Sequence, residues 1–253
     1  MRCAIVIPAR YASSRLPGKP LLKSTGKYLI QHVYEQAMKV KRPCEVIVAT
    51  DDSRIMAAVR RFGGKAIMTR KDHPSGTDRV AEVAAQLDAD IIVNLQGDEP
   101  SIDTRALDLL PELLERDPEA EMATLAVPLP SLDEYYSPNV VKVVRDGRGR
   151  ALYFSRSPIP MVRDGEPDLK RNPNLFLQHL GLYAYRRDAL LQLASLPPDP
   201  LEESEKLEQL RVLALGWRIQ VGVISHAGRG VDTVDDYYRF VRQYRSQAVA
   251  LAA

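Results

Sequence analysis

The sequence predicts an α/β fold, and three observations carry that reading. Short apolar, β-branched runs recur without polar alternation, as strands covered on both faces require. Between them, apolar residues return at helical spacing. The two patterns alternate from residue 3 to about 128, the order that builds a mostly parallel sheet with helices on both faces.

The first strand is Ala4-Ile5-Val6-Ile7, stopped at Pro8. Residues 10–20 then form a Pro- and Gly-punctuated loop carrying Arg10, Arg15 and Lys19 and no acidic residue. A loop beyond the carboxyl end of a central strand is where open α/β sheets bind ligands. Three cations there suit a triphosphate, with each arginine forking two oxygens and the lysine acting as a point charge. An exposed basic loop with no ligand accounts for the charges equally well. The loop is not a Walker A motif, because only Gly18 precedes Lys19 and Pro20 stands where a magnesium-binding hydroxyl is needed. Any metal ligands must come from elsewhere in the chain.

Ile30, Val33, Tyr34, Ala37 and Met38 predict a helix over 29–41, stopped by Pro43. Residues 45–49 read as a buried strand and 50–53 as a loop and helix cap. Ile55, Val59 and Phe62 mark the core face of the next helix, which Gly63-Gly64 ends. A short strand at 65–68 follows, and Ser75-Gly76-Thr77-Asp78-Arg79 opens a third helix. Residues 90–96 form a strand running into Gly97-Asp98-Glu99-Pro100, and Leu107, Leu110 and Leu114 place a helix at 103–116.

The second half changes character. Strands at 140–144 and 151–155 flank Asp146-Gly147-Arg148-Gly149 as a hairpin, while 161–175 is polar, Pro-bearing and expected to be a mobile loop. A strand at 177–185, a helix at 202–215, a strand at 219–224 and a helix at 234–248 complete the chain, the last capped by Thr233 or Asp232. This part reads as an insertion that extends the sheet and offers a dimer surface. Glu202, Glu203 and Glu205 read as a solvated helix face with local ion pairs. His32, His73 and His226 suggest no role.

Composition narrows the function. A net charge of +2 over 253 residues is too small for a nucleic-acid or membrane surface, so the positive charge that matters is local. Cys3 and Cys44 lie beside or within strand-like runs and read as buried thiols, and no apolar run approaches the ~18 residues of a membrane span. A soluble, cytoplasmic protein is expected. Neither a Ser-His-Asp order nor a Cys-x-x-Cys pair stands out, which disfavours nucleophilic catalysis and structural zinc.

Asp98 follows an apolar strand directly, with Gly97 giving the backbone room to turn, and is placed to hold Mg²⁺ beside phosphates. Asp232, at a second glycine-flanked junction, serves either as a second carboxylate ligand or as a helix N-cap only. Backbone N–H groups at Ser75, Gly76 and Thr77 can meet acceptors on a base or phosphate. Arg79, one turn in, can reach the same ligand or stand as an ordinary helix arginine.

The opening run Ile7-Pro8-Ala9-Arg10-Tyr11-Ala12-Ser13-Ser14-Arg15-Leu16-Pro17-Gly18-Lys19-Pro20-Leu21 resembles the nucleotide-binding signature of cytidylyltransferases that activate 3-deoxy acidic sugars. Residues 69–79 and 93–100 narrow the resemblance to the 3-deoxy-manno-octulosonate (KDO) cytidylyltransferase family, and 122–128, 151–160, His179-Leu180-Gly181 and 207–213 agree with it. The resemblance implies one Rossmann-like domain of the nucleotide-diphospho-sugar transferase type over 1–253. Within it, 1–128 would be the nucleotide-binding part, about 129–228 a sugar-binding and dimerisation portion, and 229–253 a return carrying a metal ligand. It implies CTP bound by Ala9, Arg10, Arg15, Lys19, Ser75, Gly76, Thr77, Arg79 and Gln96, and Mg²⁺ held by Asp98 and Asp232. The acidic sugar would meet Gln96, Arg156, His179, Tyr183, Glu208 and Gln209, with Arg156 facing its carboxylate. Arg10, Lys19, Asp98 and Asp232 would carry catalysis: transfer of CMP from CTP to the 2-hydroxyl of KDO for lipopolysaccharide biosynthesis, in a homodimer. The same chemistry on an 8-amino KDO analogue or a sialic acid is the nearest alternative. An inactive nucleotide-binding regulator is the alternative of another class.

Overall fold

The computed structural model describes residues 1–12, 16–42, 44–226 and 228–252, with side chains given except at Cys44 and 248–252. Arg15, Pro43 and the Cys44 side chain, each named above, lie outside the described residues. Cys3 is a buried, reduced thiol, as expected.

In chain order the first elements are β1 (Cys3–Ala9), a 3-10 turn (Lys19–Leu21), α1 (Leu29–Ala37), β2 (Cys44–Thr50), α2 (Ser53–Arg61), β3 (Lys65–Met68), α3 (Gly76–Ala84), β4 (Ile91–Asn94) and α4 (Thr104–Arg116). There follow β5 (Ala120–Pro128), α5 (Leu132–Tyr136), β6 (Lys142–Arg145), β7 (Ala151–Ser155), β8 (Leu177–Arg186), α6 (Arg187–Ser195), α7 (Pro200–Glu205), α8 (Gln209–Ala214), β9 (Arg218–Val223) and α9 (Val234–Ala252). The chain divides into two compact units. A basic-loop unit comprises Arg2–Ala89, Asn94–Leu107 and Gly228–Ala253, and a hairpin unit comprises Met1, Asp90–Val93 and Asp108–Ala227.

In the basic-loop unit, β1 pairs parallel with β2, and β2 parallel with β3. Ile5, Val6 and Ile7 are all buried, which is why their run shows no polar alternation. The Leu95 N–H donates to the Val6 carbonyl at 3.1 Å and lays the segment after β4 beside β1. Leu16, Leu29, Val231, Tyr237 and Val241 form one buried cluster that ties the basic loop to α9. The Ser24 N–H donates to the Tyr237 hydroxyl at 2.7 Å and reinforces that tie. His32 is buried under α9, its Nε2 2.7 Å from Thr25 Oγ1 and its ring edge-on to Phe240 and Tyr244. The histidine thus packs the C-terminal helix.

The entry to α9 settles an ambiguity in the sequence. Thr233 Oγ1 accepts from the Asp236 N–H at 3.2 Å, and Asp236 Oδ2 accepts from the Thr233 N–H at 3.0 Å. This reciprocal pair is a capping box, so Thr233 is the cap and Asp232 is released from that duty. α1 ends at Ala37 rather than at 41, because the Met38 and Lys39 amides close onto Tyr34 and Gln36.

In the hairpin unit the strand order is β4-β8-β5-β9, with β6 pairing β8 and β7. β5 runs antiparallel to β8 and parallel to β9, and its register against β8 slips between Thr124 and Leu125. β6 and β7 form the expected hairpin. Two helices were not anticipated: α5, and α6, which begins directly after β8 with no side-chain cap. The helix expected at 202–215 is two, parted at Lys206, whose φ of 54° is the one positive value at a non-glycine among the described residues. Glu202 is not solvated but buried, and Arg211 donates to its two oxygens at 2.6 Å each. Within segment 161–175, Val162 and Leu169 pack against Leu129, Tyr135 and Phe176, while most of the other residues are exposed. Among the described residues, no helix is long and apolar enough to cross a membrane.

Burial lowers the His32 pKa from 6.5 to about 4, so the unfolded chain takes up the proton first. The contribution of His32 to stability is therefore intact above pH 6.5 and is lost as pH falls through 4, roughly 3 kcal/mol in all. A His32→Gln variant should lose stability less steeply than the parent between these pH values in urea titrations. Equal slopes would mean that this ring is not an acid-sensitive group.

Candidate active site

The loop leaving β1 returns as a 3-10 turn that presents Lys19 to two distant segments. Lys19 Nζ donates to Asp98 Oδ2 at 2.7 Å and to the Val231 carbonyl at 2.8 Å, and lies 3.5 Å from Asp232 Oδ1. The Val231 N–H donates to the Asp98 carbonyl at 2.8 Å, fixing the two carboxylate-bearing segments to each other. Glycine is required at Gly97, where a Cβ would stand 2.8 Å from the Pro8 carbonyl oxygen; a Cβ on Gly230 would stand 2.8 Å from Glu99 Oε1, the end of a side chain that can shift. Burial, and then the charges of Asp98 and Asp232, push the Glu99 carboxyl up to about 8, with Lys19 opposing. Negative charge is thus concentrated here until a neighbouring acid holds its proton.

Beside these groups opens a cleft of about 470 Å³, lined by Ala9, Arg10, Lys19, Ser75, Gly76, Arg79, Gln96 and Asp98 among others. Arg10 is exposed on its rim and makes no ion pair among the described residues. Ser75 caps α3, its Oγ accepting from the Thr77 N–H at 3.1 Å and the Asp78 N–H at 3.2 Å. The Thr77 amide therefore serves the cap in this structure. Arg79 is likewise committed: its Nη2 donates to Asp51 Oδ2 at 3.0 Å and its Nη1 to Thr69 Oγ1. It braces the cleft wall, which it helps to line. Asp51 ends the apolar run of β2 just as Asp98 follows that of β4, which was a legible signal for it.

Asp98 and Asp232 suit a magnesium ion. They supply hard oxygen donors converging on one ammonium, and magnesium takes one or two protein carboxylates and completes its shell with phosphate and water. No group of three or more His, Cys, Asp or Glu among the described residues could hold a metal ion.

The remaining site residues belong to the hairpin unit. Thr124 Oγ1 donates to the Leu182 carbonyl at 2.8 Å and lies 2.9 Å from His179 Nε2, which therefore carries the ring proton and donates to Thr124. Burial drops the His179 pKa to about 3, leaving a neutral ring against Phe154 and Tyr183. The Tyr183 hydroxyl donates to Gln209 Oε1 at 3.3 Å, and burial, helped by the Glu208 charge, raises its pKa far above the ordinary phenol value. Gln209 Nε2 is buried with no hydrogen-bond partner among the described residues, an open donor of the kind a sugar hydroxyl satisfies. Arg156 is held by backbone carbonyls, of Glu205 at 2.6 Å and Pro138 at 3.1 Å. Glu205, read from sequence as solvated, instead accepts from Ser155 Oγ at 2.5 Å and the Arg156 N–H at 2.8 Å.

The cytidylyltransferase family profile matches residues 4–219. A 3-deoxy-manno-octulosonate cytidylyltransferase of Geotalea daltonii is 51% identical over 98% of this chain and 100% of its own length. One of Geobacter metallireducens is 52% identical over 96% of this chain and 98% of its own. A solved structure of CMP:2-keto-3-deoxy-manno-octonic acid synthetase complexed with CTP aligns with a TM-score of 0.91 at 48% identity, covering 98% of this chain and 100% of the other. The 4-diphosphocytidyl-2C-methyl-D-erythritol synthase of Anaerococcus prevotii, at 13% identity and a TM-score of 0.62, shares the fold.

A Gly97→Ala substitution should force Asp98 away from its place beside Lys19 and lower stability by about 1–3 kcal/mol. Thermal unfolding checks the first-order effect, and an unchanged midpoint would show that the Pro8 backbone yields without cost.

Proposed function

The chain belongs to the 3-deoxy-manno-octulosonate cytidylyltransferases, and from that membership we propose that it transfers CMP from CTP to the 2-hydroxyl of KDO, releasing pyrophosphate. One observation carries the reading in this molecule: Lys19 draws Asp98 and Asp232 together at the edge of a basic cleft. In this reading the triphosphate lies against Arg10, Arg15 and Lys19, and the cytidine end toward Ser75, Gly76 and Gln96. The sugar hydroxyl oxygen attacks the α-phosphorus in line as the bond to pyrophosphate breaks, and the hydroxyl proton passes to solvent. Both the entering and the leaving oxygens carry negative charge, so the protein acts by positioning and by neutralising charge. Arg10 and Lys19 stabilise the departing pyrophosphate. Mg²⁺, when bound to Asp98 and Asp232, supplies Lewis-acid charge at the phosphates. His179 and Tyr183 stay uncharged at neutral pH and act as a hydrogen-bonding surface with Gln209, while Arg156 keeps its charge for the sugar carboxylate. The protein acts as a cytoplasmic homodimer supplying CMP-KDO to lipopolysaccharide assembly. Convergence of Lys19, Asp98 and Asp232 speaks against an inactive regulator.

The test is pyrophosphate release measured across nucleotides and across KDO, its 8-amino analogue and sialic acid. CTP with KDO should be the fastest pair, and EDTA should stop it. Lys19→Ala should reduce turnover on the order of 10²–10³-fold; undiminished turnover would remove Lys19 from the mechanism.

A further inference from the structure

The hairpin unit contains a fully buried ammonium that the chemistry above leaves unused. Lys142 is 0% exposed and donates to three backbone carbonyls, of Ser137 at 2.8 Å, Val140 at 2.6 Å and Arg156 at 2.5 Å. It makes no ion pair among the described residues, so its charge is met only by peptide dipoles and, at longer range, by Glu205. A buried lysine without a carboxylate partner is costly and is retained only where its donors fix something. Here they fix the carbonyl of Arg156.

Glu205 grips the same residue from the other side. Its carboxylate accepts from Ser155 Oγ at 2.5 Å and from the Arg156 N–H at 2.8 Å, and its carbonyl accepts from Arg156 Nε at 2.6 Å. The left-handed Lys206 directly after it ends α7 at that point. Arg156 is therefore held at N, O, Nε and, through the Pro138 carbonyl, Nη1, while Nη2 has no partner among the described residues. Among the described residues no carboxylate oxygen touches the guanidinium, so its charge stays available to an anion.

We propose that Lys142 and Glu205 are positioning residues for Arg156, aiming its guanidinium at the carboxylate of the acidic sugar. The inference rests on the reading of Arg156 given under the proposed function. Misplacing a binding group by about an ångström costs on the order of a hundredfold.

The experiment measures KM for KDO, kcat and CTP affinity for Glu205→Gln, Lys142→Met, Arg156→Ala and the Glu205→Gln, Arg156→Ala double variant. Lys142→Met strands three carbonyls and can unfold the chain, so Glu205→Gln decides alone if it does. The expected result is a KM for KDO raised on the order of tenfold to a hundredfold in the Glu205→Gln enzyme, with CTP affinity unchanged. On the Arg156→Ala background the same substitution should add nothing, which a merely structural residue would not obey. If Arg156→Ala raises KM and Glu205→Gln does not, the positioning role is overturned and the reading of Arg156 stands. If Arg156→Ala itself leaves KM unchanged, that reading falls and takes the positioning role with it.

Discussion

The contact on which the rest depends is the ammonium of Lys19 facing two carboxylates. Asp98 and Asp232 repel each other, and partial burial strengthens that repulsion. One positive charge from the amino-terminal loop offsets it, and the same side chain joins the loop to the post-strand segment and the α9 entry. The proton kept by Glu99 belongs to the same balance: burial first, and then the two neighbouring carboxylates, keep this third acid neutral. A field that retains a proton on a glutamic acid also favours a divalent cation, and the cation in turn favours phosphate. The apolar cluster of Leu16, Leu29, Val231 and Tyr237 supplies the cohesion that lets this polar arrangement persist.

Arginines are held in two ways. Arg79 on Asp51, Arg211 on Glu202 and Arg150 on Asp117 are paired to carboxylates, and each braces one part of the fold against another. Their charges are spent. Arg156 is held by carbonyls and Arg10 stands at a cleft rim, so both keep theirs.

Much of the fold was readable because its signals are local. β1 to β4 are apolar runs with clear stops, and α2 and α3 begin at Asp52 and Ser75, which do cap them. α6 escaped because it starts without a side-chain cap, and the break between α7 and α8 because a lysine, not a glycine, takes the left-handed conformation. At the site, Lys19 and Asp98 stood out by position relative to their strands. Asp232 could not be told from a helix cap until the structure gave that role to Thr233. Glu205 was misjudged, and the Arg79–Asp51 pair missed, for one reason: their partners lie far away in sequence, and no periodicity encodes them.

The placement of Asp232 has a consequence for biosynthesis. A ribosome that has delivered the first two hundred residues has made the loop, the cleft and Asp98, yet has made neither Asp232 nor the Val231 that packs against Leu16. The nascent polypeptide therefore carries the cleft and Asp98 before it carries the second carboxylate that Lys19 faces.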